Sequence, residues 1–291
     1  MSKSIAVCIP SHNCGPYLRS TIESVLYQRS PADEIIISDD HSTDDSAAIL
    51  NDYADDPRIR IIHQEKRLSI GEHYRFLLET AQSDYVCFLS ADDVLLENFV
   101  ANMRAAITDG DPTLVIGACV ETDGKLGVIR TRHTARRDAM PATAAFRYMA
   151  GANNYTMSFA LMRRDVLLSA PALPAEMDVV TDWYWALSLA RAGTLAFVTK
   201  PSGYYRVHGH NAGHGNDKWG IAARKMVAWM MPQLNAEEKA ALNEKMSTAQ
   251  QAPMRKAQAT VANDRLKDIV KRAAALRYAA IPAAVRRAEG R

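Results

Sequence analysis

Four short apolar runs alternate with amphipathic stretches over the first third of the chain, and this rhythm restricts the fold more than any other feature. The runs are residues 4–10, 34–38, 58–63 and 85–89. Each has the length of a strand and is rich in strand-forming residues, and the first, second and fourth runs are almost continuously apolar, as in strands buried on both faces. Between them, residues 17–28, 46–54 and 71–81 carry apolar side chains at helical spacing; Leu18, Ile22, Val25 and Leu26 form one such stripe. Strands joined through helices at this spacing build βαβ units and a parallel sheet. An α/β architecture follows, with its ligands expected at the carboxyl edge of the sheet.

The chain continues less regularly. A helix is predicted over 94–107, a strand over 113–120, a hairpin-like excursion over 120–130 and a helix over 142–149. Residues 155–163 read as a strand crossing back to the sheet. Residues 182–192 read as a helix with Trp183, Leu187 and Ala190 toward the core. Strands over 195–199 and 203–208 come last, and residues 218–291 have only helical periodicity.

Composition excludes several classes. The 291 residues are 48 % hydrophobic and 23 % charged with a net charge of +2, ordinary values that give no overall argument for nucleic acid. Cys8, Cys14, Cys87 and Cys119 are far apart and form no Cys-x-x-Cys pair, so neither a zinc nor a redox motif is expected. The start of the chain lacks a signal-peptide pattern, and no apolar run reaches the length of a membrane span. A cytoplasmic protein is expected.

The strand exits carry the chemistry. Tyr85-Val86-Cys87-Phe88-Leu89-Ser90-Ala91 runs into Asp92-Asp93. Two adjacent carboxylates repel each other unless a cation or a partner offsets them, and a hard divalent cation shared with phosphate oxygens is one solution. A solvated turn capping the next helix is the other. The first exit, Pro10-Ser11-His12-Asn13, can stack on a base and hydrogen-bond to it. The second, with Asp39 and Asp40, can accept from a base or from ribose hydroxyls. Neither a Gly-x-Gly-x-x-Gly turn nor a Walker loop is present. A phosphate would need metal and basic side chains, and Lys66, Arg67 and Arg75 are available.

Ile9-Pro10-Ser11-His12-Asn13, Ile36-Ile37-Ser38-Asp39-Asp40-His41-Ser42-Thr43-Asp44 and Phe88-Leu89-Ser90-Ala91-Asp92-Asp93 resemble, in order and spacing, the family 2 glycosyltransferases of GT-A fold. The resemblance covers about residues 4–212. It implies a mixed, mostly parallel sheet flanked by helices over residues 1–216, with a nucleotide-sugar-binding half to about 118 and an acceptor-side half beyond, then a helical extension over 217–291. It implies that Pro10, Ser11, His12, Asn13, Asp39, Asp40, Lys66, Arg67, Arg75, Ala91, Asp92 and Arg206 hold a nucleotide sugar of UDP, dTDP or GDP type. Asp92, Asp93 and His208 would hold Mn²⁺ or Mg²⁺. Val180-Thr181-Asp182-Trp183 resembles the family's acidic pair, with Asp182 as the base that takes a proton from an acceptor hydroxyl; the alternative is an Asp helix cap. Tyr205-Arg206-Val207-His208 resembles the Arg-x-His segment, and Gly209, Gly213 and Gly215 suggest a loop that orders over the donor. Asn153 and Asn154 stand on the acceptor side.

The sequence departs from the family pattern at four places. Residues 64–71 replace Asn-x-Gly, Ser90-Ala91-Asp92 replaces Asp-x-Asp, His12 stands for a stacking Tyr, and Thr181 stands for a Glu. The implied activity is inverting transfer of a sugar to a glycan or lipid-linked acceptor in bacterial polysaccharide assembly. A sugar-phosphate nucleotidyltransferase and a non-catalytic nucleotide-sugar-binding protein are the alternatives. Residues 253–291 hold ten Lys or Arg against three Asp or Glu, with Leu266, Ile269, Val270 and Ile281 along one face. That pattern suits peripheral contact with anionic lipid or a helix with a solvated basic face; its mostly alanine apolar side favours the second.

Overall fold

The computed structural model of the protein describes residues 3–108, 110–132, 138–151, 155–209 and 218–251. Strands β1 (Ile5–Ser11), β2 (Glu34–Asp39), β3 (Ile59–His63) and β4 (Tyr85–Phe88) pair in parallel, in the order β3-β2-β1-β4. Helices α1 (Gly15–Leu26), α2 (Ser46–Asn51) and α3 (Ile70–Thr80) connect them. The chain winds from β1 toward β3, then places β4 on the other side of β1. That reversal opens a crevice above β1 and β4, the kind of switch point where open α/β sheets bind ligands.

Alternation along the strands explains why helices cover both faces. Ile5, Val7 and Ile9 of β1 share a core layer with Leu18 and Ile22 of α1, while Ala6 and Cys8 face a second layer with Leu77 and Phe88. A slip of one residue would exchange the layers, so burial fixes the register.

Beyond β4 the order is β5 (Val94–Leu95), α4 (Phe99–Thr108), β6 (Leu114–Asp123), β7 (Val128–Arg132) and α5 (Ala142–Gly151). There follow β8 (Ala160–Arg163), α6 (Arg164–Ser169), α7 (Thr181–Ala192), β9 (Leu195–Val207), α8 (Lys218–Met230) and α9 (Ala236–Gln251). β8 is antiparallel to β4 and β6, and β9 runs parallel to β6. The expected hairpin is β6–β7, whose turn holds Leu126 in the left-handed region at φ 60°.

Three predicted boundaries change. The helix expected over 94–107 starts only at Phe99, because Val94 and Leu95 pair with Tyr204 and Gly203 of β9. That ladder satisfies backbone groups which are fully buried there. The strand expected over 155–163 begins with a 3-10 turn, Met157–Phe159, before β8. The strands expected over 195–199 and 203–208 are one strand. Its register slips where Pro201, which lacks an N–H, comes opposite Ala118.

Trp183, Leu187 and Ala190 are buried as expected, in the layer that also takes Ala222, Met226 and Met230 of α8 and Leu242 of α9. Among the described residues no helix is long and apolar enough to cross a membrane. The basic stretch over 253–291 lies outside the described residues, as do Asn153, Asn154, His210, Gly213 and Gly215.

Candidate functional site

The exits of β1 and β2 are stitched into one platform. Ser11 lies opposite Asp39, and the Asp40 N–H donates to the Ser11 carbonyl at 2.8 Å. The Thr43 N–H donates to Asn13 Oδ1 at 2.8 Å, and the Gly15 N–H to Asp44 Oδ2 at 2.9 Å. The other oxygen of Asp44 accepts from Ser46 N–H at 3.0 Å at the start of α2. Asn13 and His41 sit in the left-handed region at φ 51° and 57°. For a histidine that conformation is costly, and such outliers gather where a site demands them.

Above this platform the His12 ring is held in its plane. Its Nδ1 lies 2.8 Å from the Asp40 carbonyl, to which only a protonated nitrogen can donate. Its Nε2 is left to accept from the Arg67 guanidinium. Asp40 is buried, takes Leu68 N–H at 2.8 Å and pairs with Arg67 Nε at 3.0 Å. Asp39, also buried, takes the hydroxyl of Ser42 and faces His63 Nδ1 at 3.7 Å. Beneath them His73 of α3 is buried, with Nε2 lacking a hydrogen-bond partner. Burial pushes its pKa down, against the pull of Asp40 and Asp39.

The acid pair after β4 splits into two environments. Asp92 remains partly exposed, and its Oδ2 lies 2.9 Å from His208 Nε2, which comes from the end of β9. Asp93 is fully buried, and its Oδ1 accepts Arg206 N–H at 2.9 Å. Burial, reinforced by the charge of Asp92, pushes the Asp93 carboxyl well above the usual range. Helix α1 supports both halves. The Thr21 hydroxyl is 2.8 Å from the carbonyls of both Ala91 and Asp93 and donates to one or the other. Tyr17 stacks on the His208 ring at 4.7 Å. Arg206 is buried, lies 5.0 Å over the same Tyr17 ring and donates to the Ser20 hydroxyl and the Gly124 carbonyl.

A further acid, Asp182, stands in the first turn of α7. Its Oδ1 accepts Trp183 N–H at 2.7 Å, and the Tyr155 hydroxyl donates to its carbonyl at 2.6 Å. Tyr74 of α3 packs between β4 and α7. Its ring packs edge-on against Phe88 of β4 at 5.3 Å and Trp185 of α7 at 6.1 Å. The charges bearing on its hydroxyl are those of Asp182, then Asp92 and Asp93. The strand-exit platform and the Asp92–His208 pair stand at the carboxyl ends of the parallel strands, and Asp182 opens the helix that leads into β9.

The sequence model described as Glycosyl transferase family 2 matches residues 6–169, more than half of the chain. The chain belongs to glycosyl transferase family 2. Glycosyltransferase GlyG of Streptococcus pneumoniae serotype 4 is 32 % identical over 118 residues, 40 % of this chain and 39 % of that protein. The putative teichuronic acid biosynthesis glycosyltransferase TuaG of Bacillus subtilis is 40 % identical over 90 residues, 31 % of this chain and 36 % of that protein. The matched stretch thus spans well under half the length of these curated relatives. The crystal structure of S. aureus TarS 1-349 superposes with a TM-score of 0.65 at 16 % identity, covering 84 % of this chain and 70 % of that one. Its complex with UDP-GlcNAc gives 0.64 at 14 % identity, covering 84 % and 71 %. At these identities the likeness is one of fold, and the fold is the GT-A type that the motifs imply.

Within this family 2 frame some sequence-derived roles change. Asp93 is no surface ligand, since its carboxylate is sealed beneath β9. Arg206 is not available to a phosphate, because its guanidinium is buried between Tyr17, Ser20 and Gly124. Arg75 turns away to Glu79 and the carbonyls of Leu167 and Leu168. Arg67 belongs with His12 and Asp40 beyond the ends of β1 and β2, and Lys66 is exposed on the same loop. Pro10, Ser11, His12, Asn13, Asp39, Asp40, Ala91 and Asp92 do come together at the carboxyl edge. Among the described residues no three His, Cys, Asp or Glu side chains form a metal cluster. Tyr17, Thr21, His73 and Tyr74 are absent from the sequence reading, because each is one apolar-face or small polar helix residue among many.

Proposed function

We propose that the chain is an inverting, metal-dependent glycosyltransferase that moves a sugar from a nucleoside diphosphate to an acceptor hydroxyl. The observation that carries this reading is the Asp92–His208 pair beyond β4 and Asp182 in the first turn of α7, on two elements bridged by the Tyr74 ring. Asp92 Oδ2 and His208 Nε2, 2.9 Å apart, bring an oxygen and a nitrogen donor to one point. Asp92 and His208 would thus hold the cation, with water and diphosphate oxygens completing its shell. An imidazole in the set favours Mn²⁺ over the harder Mg²⁺. Bound there, the ion would offset the charge growing on the leaving diphosphate.

The chain's own groups supply the rest. The platform of His12, Asp39, Asp40 and Arg67 receives the nucleoside, with the imidazole face offered to the base. Trp183 N–H fixes one oxygen of Asp182, and the amino end of α7 favours the carboxylate form. Asp182 takes the proton of the acceptor hydroxyl. The freed oxygen forms a bond to the anomeric carbon as the bond to the diphosphate oxygen on the opposite face breaks, which inverts the centre.

Because TarS has been crystallised with UDP and with UDP-GlcNAc, UDP sugars are the first donors to try, ahead of dTDP and GDP sugars. The relatives in teichuronic acid biosynthesis and chondroitin synthesis favour a glycan or lipid-linked acceptor of a bacterial surface polysaccharide. Asp182→Asn tests the base. Transfer should fall by about 10²–10⁴-fold while the nucleotide sugar still binds. Full transfer by that variant would remove the assignment. Donor binding without transfer to any acceptor would favour the non-catalytic reading, to which Ser90 and Thr181 also point.

A further inference from the structure

We infer that Tyr74 touches the transferred sugar, its phenolic hydroxyl donating a hydrogen bond to a sugar hydroxyl in the gap between Asp92 and Asp182. This rests on the glycosyl-transfer reading above. In an inverting displacement the base and the leaving group lie on opposite faces of the anomeric carbon. The sugar in transit therefore fills the space between the base and the diphosphate. Tyr74 packs between the strand that leads to Asp92 and the helix that opens at Asp182, and so borders that space.

Its position is set by packing on both walls. Phe88, on the strand that delivers Asp92, holds one edge of the ring, and Trp185, one turn beyond Asp182 on α7, holds another. Helix α3 comes close to the approach to α7 at Gly71, where a Cβ would meet the Asp178 Cβ at 3.0 Å. The ring is thus wedged between the elements that carry the two acids, and the hydroxyl end is under the influence of Asp182 first and of Asp92 and Asp93 next. Burial and these carboxylates push the phenol pKa above its ordinary value, so the group stays protonated and acts as a donor. Among the described residues it makes no hydrogen bond, which leaves that donor for a ligand hydroxyl. A phenol in this place selects among donors by the sugar and leaves the nucleoside unread.

The test compares Tyr74→Phe with wild type by titration calorimetry in Mn²⁺, using three matched pairs: UDP and UDP-GlcNAc, dTDP and dTDP-glucose, GDP and GDP-mannose. The ring and its packing survive the substitution. For the pair that wild type prefers, affinity for the nucleoside diphosphate should be unchanged. Affinity for the nucleotide sugar should fall roughly three- to tenfold, the worth of one hydrogen bond, and kcat/KM for transfer should fall at least as far. An unchanged nucleotide-sugar affinity would overturn the inference, and so would an equal loss for both members of the pair, which marks a structural role. Those outcomes leave the glycosyl-transfer reading standing. Failure of wild type to bind any of the nucleotides would sink that reading and this inference together.

Discussion

His73 shows what a single side chain beside Asp39 and Asp40 does to stability. Its imidazole is buried, and burial lowers its pKa from 6.5 against the attraction of Asp40 and Asp39, with Arg67 and His12 adding to the fall. The sign follows from proton counts. As pH drops through about 6.5 the unfolded chain takes up a proton that the folded chain resists, so stability is lost over that window and is full above it. Replacing His73 by Phe should flatten the fall in melting temperature between about pH 7.5 and about pH 5.5. Melting curves of the two proteins across that range check this, and parallel slopes would count against it. The same residue scale separates what the sequence reveals from what it hides. The places of Asp92 and Asp182 in the fold are legible, because one follows the end of a strand and the other opens a helix. Asp93 and Arg206 are not, because the same local pattern fits an exposed ligand and a sealed support. Only the pairing of β9 with β5 and the cover of α1 decide between them.

The elements were legible where the apolar pattern was local and obscure where pairing was distant. β1 to β4 and the helices between them follow from runs of isoleucine, valine and aromatic residues. β5 has no such signature: Val94 and Leu95 would suit a helix, and their partners lie more than a hundred residues away in β9. Pro201 lies in the gap between the two strands expected over 195–199 and 203–208, and it marks a slip inside one strand. Gly203 is the point where β9 can least afford a side chain. A Cβ there would meet Phe159 Cε1 at 2.1 Å and the Val94 carbonyl oxygen at 2.5 Å. Backbone cannot yield as a flexible side chain can, so Gly203→Ala should destabilise the fold by about 1–3 kcal/mol. Because β5 follows Asp93 directly, donor binding should weaken as well. Urea denaturation and UDP titration of the variant measure the two effects, and a variant as stable as wild type would contradict the packing.

For the whole molecule, a cation and a nucleotide that bind only the folded chain must raise its melting point. At a hundred times its Kd such a ligand adds about 2.7 kcal/mol. Mn²⁺ and UDP together should therefore shift melting more than either alone, and His208→Ala should abolish the extra shift. A variant that keeps it would remove His208 from the proposed metal shell. The GT-A architecture was legible as a whole, since the parallel half alone commits the chain to a sheet with helices on both faces. The packing of α8 and α9 against α5 and α7 was not, as amphipathic periodicity names a face without naming its neighbour. One helix has a wider bearing. Tyr17, Ser20 and Thr21 occupy adjoining positions on α1 and reach His208, Arg206 and the loop of Ala91 and Asp93. The two jaws of the proposed metal grip, though distant in sequence, are bolted to a single rod. A tilt of that rod carries both jaws together and keeps their gap constant, whereas a change at its far end would displace the grip as a unit relative to Asp182.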